Sequence, residues 1–401
     1  MSAMAASETG RPEQPLRRSA AALGRFAREH IVLVIAAALA GATMVAVPPD
    51  AGYLGYIDWS TLGCLFSVLT VANAFRYIGA LDRAARLAIE HLDTPQSVAG
   101  ALIATTAALS AVVTNDLALI VMLPLAATTL VRAGWSALIP ATFAMQSIAA
   151  NLCGMIAPFG NPQNLYLYSY YELSLSDFLR TMALPFLAAT GFIALCSWLL
   201  VRRAPAAPAR MQEVSRISLD HRRFAAYAAL LGLTVLAVFR IVPIAVAVAA
   251  VAAVLAFADR RALRAVDYPL LLTFACFFIF AGNMARIPLL SEGLTNLMAA
   301  DGLLAAAGAS QIISNVPAAV LLSHFTGDWQ AVLVGVNIGG AGTFIGSLAS
   351  LITIQHFMSA RKVFPHLRNE RALAPKRFLA LFGGLNLLFL AALLAICLIA
   401  R

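Results

Sequence analysis

The chain has 401 residues, of which 61% are hydrophobic and only 12% charged, and its mean hydropathy is +0.84. That balance lies far outside the range of soluble globular domains and marks an integral membrane protein. A net charge of +9 raises the possibility of a nucleic-acid partner, but the basic residues fall in short loops between apolar runs, where they orient a membrane protein, and no nucleic acid is expected.

Taken in order, runs of spanning length fall near 31 to 48, 55 to 80, 136 to 158, 177 to 201, 224 to 240, 242 to 258, 266 to 286, 330 to 346 with a continuation to 360, and 378 to 400. The first follows a basic stretch and precedes PPDAGY and another span, which favours a first transmembrane helix over a cleaved signal. The segment DRAARLAIEHL at 82 to 92 has charge on one side and apolar residues on the other, the pattern of an amphipathic arm on the membrane surface. The runs around Asn115 and Asn315 differ from the rest, because each is broken in the middle by a polar cluster. Each reads as a helical hairpin that enters the bilayer and turns back.

These two clusters repeat one another. Ser110, Thr114 and Asn115 in SAVVTND match Ser310, Ser314 and Asn315 in SQIISNV. Each is followed by a glycine-studded segment of shared spacing: Asn151, Gly154, Gly160 and Asn164 in one, Asn337, Gly340, Gly346 and Ser350 in the other. Upstream, Asp58 and Arg76 pair with Asp267 and Arg286 within one residue of register. Each half thus runs helix, hairpin, interrupted helix, closing helix and crosses three times. Two intervening spans make the second copy inverted, giving an all-α polytopic membrane protein with inverted repeats, two re-entrant hairpins, two discontinuous helices and about nine full crossings. The expected units are 1–54 (cytoplasmic N-terminus and first helix), 55–201 (first repeat), 202–265 (cytoplasmic linker and two connecting helices) and 266–401 (second repeat). With that topology, 24 of the 28 arginines and lysines share one face, and only Arg180, Arg240, Arg286 and Arg401 lie on the other. The positive-inside rule then places the N-terminus in the cytoplasm and the C-terminus outside.

Polar, helix-breaking residues at membrane depth persist only where protein or a water-filled cavity surrounds them, and paired interruptions in two halves point to a transporter site. At a hairpin tip the returning helix aims free amides inward, attracting an anion, while carbonyls and Ser, Thr and Asn oxygens form the cage that Na⁺ prefers. Ser110, Thr114, Asn115, Asp116 and Gly160 make one candidate ion site, and Ser310, Ser314, Asn315 and Gly340 the other. Asn115, Asn161, Gln163, Asn164, Asn315, Thr343 and Ser347 are the candidate substrate ligands. The same residue types also cap helices and glue them together in membranes, but two matching copies favour a binding site. Asp116, whose counterpart is Val316, neutralises a coupling cation, carries a proton or caps the helix starting at Leu117. Asp58 and Asp267 read as helix caps. The five cysteines are scattered singly and read as packing residues, and the six histidines are dispersed. No nucleophile motif, metal box or phosphate loop is present and no cofactor beyond Na⁺ as coupling ion is expected, so enzyme and channel are disfavoured.

SAVVTND with LALIVMLPL, FGNPQNLYLY, and SNVPAAVLL with NIGGAGTFIGSLASL together resemble the ion transporter superfamily over roughly residues 55 to 400. That superfamily holds the divalent-anion/sodium symporters, citrate permeases, arsenite permeases and sodium/proton antiporters. The resemblance implies a transport domain that moves like an elevator against a dimeric scaffold, with each hairpin tip binding Na⁺ and a substrate carboxylate. Carried over, Thr114 and Asn115 act with Gly160, and Ser314 and Asn315 with the glycines near 340. The third position of both signatures departs from the symporters, since Asp116 and Val316 stand there. The expectation is a homodimeric secondary transporter of the inner membrane for a small anion, a di- or tricarboxylate, coupled to Na⁺ or H⁺; the alternative is a cation/proton antiporter or arsenite-type efflux permease using Asp116.

Overall fold

The computed structural model describes residues 30–202 and 219–400. The basic N-terminal stretch and most of the linker between the halves lie outside these residues. Every regular element among the described residues is a helix.

The first, α1 (Ile31–Ala46), ends just before Pro48 and Pro49, which cannot continue it. Next, α2 (Trp59–Tyr77) is capped by Asp58, whose carboxylate accepts the Thr61 N–H at 2.9 Å. After Gly79, in the left-handed region at φ 72°, the chain bends by 66° into α3 (Ala80–Leu87). This is the arm read from charge patterning: it buries Ala80, Leu81 and Ala85 and leaves Arg83 exposed.

The first hairpin is α4 (Pro95–Val112), capped by Thr94, and α5 (Asn115–Arg132). The interrupted helix follows as α6 (Ile139–Cys153), a one-turn 3₁₀ extension, a break, and α7 (Pro162–Tyr170). It closes with α8 (Leu175–Val201). Between the halves stand α9 (His221–Val238) and α10 (Ile244–Ala258). The second half repeats the order with α11 (Tyr268–Ala285), capped by Asp267, then the hairpin α12 (Pro288–Ile313) and α13 (Asn315–Leu322), the broken pair α14 (Trp329–Gly339) and α15 (Leu348–Val363), and α16 (Pro375–Ile399).

One element was not foreseen. Within α12 the backbone becomes extended at Asp301 (φ −161°, ψ 96°), and the Asp301 carboxylate restarts the helix by accepting from the Leu304 N–H at 3.0 Å. The piece before it carries exposed Leu289, Leu290 and Leu297, so it parallels the arm that α3 forms in the first half.

Among the described residues, six helices, two of them hairpin arms, are long and apolar enough to cross a membrane, or seven if α2 and α3 count as one span. The hydropathy reading expected nine crossings. The apolar runs at 31–48 and 242–258 yield helices of only 16 and 15 residues, because Pro48 and Pro243 bound them, and the run at 330–346, read with its continuation to 360 as an interrupted helix, breaks after an 11-residue helix ending at Gly339. Each is below the roughly 20 residues that span a bilayer.

Packing gathers α2, α9 and α10 together and seats α1 on α11, while the hairpins nest against the broken helices, α8 packs on α4 and α6, and α16 packs on α6 and α8. An edge-on contact of Phe143 with Phe357 joins one end of the first half to the second, where the Phe357 ring stacks on Phe378 at 3.8 Å. Small residues permit the closest crossings, as at Gly335, where a Cβ would lie 2.6 Å from Ala306 Cβ and 2.8 Å from the Leu303 carbonyl oxygen. Buried hydroxyls return to their own helices, as Thr106 does to the Leu102 carbonyl and Thr353 to Ala349, which satisfies them without water. At the exposed end of α11, Arg286 reaches Asp50 at 2.8 Å and donates to the Tyr56 hydroxyl at 3.0 Å. The hydrogen bond from Arg286 holds the Asp50 carboxyl below its usual range.

Candidate functional site

Both hairpin tips are built by one local solution. The N–H of Asn115 donates to the Gly160 carbonyl at 3.1 Å, and the N–H of Asn315 to the Gly346 carbonyl at 3.0 Å. Each asparagine then turns its Oδ1 onto the next N–H, that of Asp116 or Val316, at 2.9 Å in both cases. The glycines that receive these bonds sit in the breaks of the interrupted helices, which are closed alike: Gly160 N–H to Ala157 at 3.1 Å, and Gly346 N–H to Thr343 at 3.1 Å. Asn161 and Ser347 hold the corresponding first positions of α7 and α15, where the Ser347 hydroxyl caps by accepting the Ala349 N–H and the Asn161 side chain makes no capping bond. The shared spacing in the sequence therefore corresponds to shared hydrogen bonding.

The tips are not identical. Thr114 is extended and its hydroxyl accepts from the Leu117 N–H at 3.4 Å. Thr114, not Asp116, thus caps this helix, because Asp116 already lies in its first turn. In the second tip Ser314 is forced to φ 75°, ψ 155°, a conformation only glycine adopts freely. Ser110 and Ser310 donate their hydroxyls to Ala107 and Ala306, both at 2.8 Å.

The two breaks are tied together by amides. Asn337 Oδ1 accepts from Asn161 Nδ2 at 3.3 Å and Gln163 Nε2 at 3.2 Å, and Asn337 Nδ2 donates to Asn164 Oδ1 at 2.6 Å and to the Leu333 carbonyl at 2.8 Å. Asn151 extends the chain of contacts: its carbonyl accepts from Asn161 Nδ2 at 3.0 Å and its Oδ1 from the Ser347 hydroxyl at 3.3 Å. A Cβ on Gly340 would lie 2.3 Å from Asn151 Nδ2 and 2.9 Å from Asn315 Nδ2. A continuous path of contacts therefore runs from Asn115 through Gly160, Asn161 and Asn151 to Gly340 and Asn315.

Asn164, a candidate substrate ligand, spends its Nδ2 on the Met155 and Ala157 carbonyls at 3.1 and 3.3 Å and its Oδ1 on Asn337. It holds the break. Thr343 donates its N–H to Gln311 Oε1 at 2.8 Å and its hydroxyl to the Gln311 carbonyl at 3.1 Å. Gln311 in turn donates to the Gly339 and Ala307 carbonyls at 2.7 and 2.9 Å. Sequence reasoning missed Gln311 as a functional residue, although an amide directly after Ser310 in an apolar helix was a visible signal. Asn151 and Asn337 stood out there only as repeat markers; their role emerges from the partners they meet. Several buried atoms remain unpartnered: Asp116 Oδ1, Asn161 Oδ1, Gln163 Oε1 and Asn315 Nδ2. In the low dielectric of a bilayer such atoms call for a ligand, an ion or water.

Comparison with known proteins gives a consistent result. A family model described as citrate transporter matches residues 21–327. An uncharacterised transporter of Methanocaldococcus jannaschii is 30% identical over 308 residues, covering 75% of this chain and 81% of that protein. The inner membrane protein YbiR of Escherichia coli is 29% identical over 306 residues, covering 75% of this chain and 80% of its own length.

Proposed function

The chain belongs to the citrate transporter family and is a secondary transporter rather than an enzyme; from that premise we propose that it carries a small di- or tricarboxylate inward with Na⁺ or, failing that, H⁺. The observation that carries this reading is the pair of equivalent contacts, Asn115 to Gly160 and Asn315 to Gly346, which bring each hairpin tip onto a broken helix. Free amides at such tips favour carboxylates, and exposed carbonyls with Ser, Thr and Asn oxygens favour Na⁺. The Ser110, Thr114, Asn115, Asp116 and Gly160 group and the Ser310, Ser314, Asn315 and Gly340 group would supply the ion contacts, with Thr343 and Ser347 lining the substrate side.

Energetics set the coupling. Moving a dianion inward against an interior-negative potential costs about 4.6 kcal/mol per 100 mV, at about 2.3 per charge. A hundredfold accumulation adds about 2.7 kcal/mol. At least two cations must accompany the dianion to cancel its charge, and a third supplies electrical drive. The two halves would be inverted relative to one another, and the hairpins with their broken helices would move together, elevator-fashion, against α1, α2 and α9 to α11 in a homodimer. The distribution of basic residues supports a cytoplasmic N-terminus and an outer C-terminus, and the name of the Escherichia coli relative supports the inner membrane.

Purified protein in liposomes is expected to accumulate labelled citrate or succinate only under an inward Na⁺ or H⁺ gradient; gradient-independent uptake rejects the coupling. The unpartnered Asp116 Oδ1 supports a second reading, cation/proton exchange or arsenite-type efflux, with Asp116 as the titrating group. An Asp116→Asn protein that retains pH-dependent exchange removes that role.

A further inference from the structure

Hydrogen bonds between distant segments of the described residues mostly stay within one of two groups of helices. Asn73 to the Ala265 carbonyl at 3.0 Å, Asn283 to the Thr43 hydroxyl at 3.1 Å and Arg286 to Asp50 stay among α1, α2, α11 and the turns beside them. Gln146 to Thr106 at 2.9 Å, Ser136 to Glu370 and the amide cluster on Asn337 stay among the hairpins, the broken helices and their flanking segments. Arg240 crosses from one group to the other. It lies in the turn between α9 and α10, and its Nη2 donates to the Tyr168 carbonyl at 2.7 Å and the Ser169 carbonyl at 3.5 Å, in the last turn of α7. We propose that Arg240 is a positioning residue of the transport cycle, a clasp that fastens α7 to the α9–α10 turn in one state of the carrier and releases it in the other. This rests on the reading above in which the hairpins and broken helices move together against α1, α2 and α9 to α11.

Two features set this arginine apart. It is one of the four basic residues that the expected topology leaves on the sparsely charged face, so orienting the chain does not account for it. It also stands at φ 60°, where the chain closes α9: the Arg240 N–H donates to the Ala237 carbonyl at 3.0 Å and the Ile241 N–H to that of Leu236 at 2.9 Å. The left-handed residue that ends a helix in this way is ordinarily glycine, which adopts the conformation freely. Arginine costs backbone strain there, and what it gains lies across the gap at α7.

The end of α7 is suited to receive it. The Tyr168 carbonyl already accepts the Leu173 N–H at 3.1 Å, and the guanidinium takes its second lone pair. A cation in this place also meets the negative end of the helix dipole. The guanidinium carbon stands 5.5 Å from the centroid of the Tyr168 ring, and Phe239 lies edge-on to the same ring at 6.2 Å. The opposite end of α7 carries Asn161, Gln163 and Asn164, so a grip on its last turn also fixes where the break lies. Because α9 and α10 pack on α2 and on each other while α7 packs on α2 and the second hairpin, a displacement of α7 along α2 carries Tyr168 away from Arg240 and breaks these contacts together.

The test follows hydrogen–deuterium exchange and citrate transport of the full-length protein in proteoliposomes. Arg240→Gly removes the guanidinium and gives the α9 turn the residue its φ favours, so the turn itself is kept. Exchange is expected to quicken at least threefold across 162–173 and in the part of α2 that α7 covers. Half-saturating citrate is expected to fall at least threefold from one face of the membrane and to hold or rise from the other, because the two states share one population. Arg240→Lys, which keeps a charge within reach of a carbonyl, is expected to fall between the two proteins. Quickened exchange confined to 236–242, or half-saturation that rises alike from both faces or changes from neither, overturns the clasp. A wild-type protein that carries neither citrate nor succinate under any Na⁺ or H⁺ gradient removes the symport reading, and exchange across α7 then decides the clasp alone.

Discussion

Replacing Asn337 by leucine is the most informative single change to the amide cluster, because this residue joins the two broken helices through three hydrogen bonds to Asn161, Gln163 and Asn164. Interhelical hydrogen bonds in membrane proteins contribute from about 0.6 to about 2 kcal/mol each, so three correspond to about 2 to 6 kcal/mol. The lower half of that range applies, since Asn161 Nδ2 keeps its bond to the Asn151 carbonyl. Stranded groups, Gln163 Nε2 and Asn164 Oδ1, supply most of the loss, and a drop of several degrees in the melting midpoint is expected. The assay is thermal unfolding of purified protein in a cycle of Asn337→Leu, Asn164→Leu and the double variant. The 2.6 Å bond between these residues predicts a coupling of about 1 kcal/mol, whereas independent sites add within about 0.5 kcal/mol. Additive single effects would refute the claim that the halves are locked through this pair.

Gly160→Ala places a Cβ 2.2 Å from the Gly154 carbonyl oxygen and 3.1 Å from that of Ser110, both backbone atoms that cannot swing aside; transport in liposomes should be lost. Gly191→Ala, with nothing within 4 Å of the added carbon, should transport normally and melt higher, by about 1 kcal/mol of helix propensity. Ser314→Gly relieves a residue held at φ 75°, and a rise in the melting midpoint worth about 1 kcal/mol is expected; an unchanged or lower midpoint contradicts the strain. The Asp50 and Arg286 pair gives a pH signature. Because the folded carboxyl is held below its usual value, its contribution is complete above the unfolded value of about 3.9 and fades as pH falls through the lowered folded value. The difference in melting between wild type and Asp50→Asn should therefore vanish at acid pH and shrink in concentrated choline chloride.

The parts of this protein that were legible in the sequence are those where polarity and spacing conflict with the membrane. Ser110, Thr114 and Asn115, their counterparts near 315, and the glycines at 154, 160, 340 and 346 stand out because lipid does not tolerate broken backbone, and the structure places them in hairpin tips and helix breaks. Asp58 and Asp267 were legible as caps for the same local reason. What stayed hidden depends on partners distant in sequence. Nothing near Asn337 in the chain indicates that Asn161, Gln163 and Asn164 converge on it, and Asn164 read as a substrate ligand although its amide is consumed inside the break. The second arm was missed because 288–313 is evenly apolar and only Asp301 followed by Gly302 marks the restart. The nine crossings read from hydropathy exceed the six or seven helices of spanning length among the described residues, because apolar runs pass over prolines such as Pro48 and Pro243 that bound shorter helices.

The central claim is that a solute is held between the two tips, against the breaks of both interrupted helices. A density map of the transporter with citrate and Na⁺ bound tests it directly. Density for citrate and Na⁺ between the tips at Asn115 and Asn315 and the breaks at Gly160 and Gly346 is the predicted result; ligand density elsewhere, with Asn115 and Asn315 facing lipid, would contradict it.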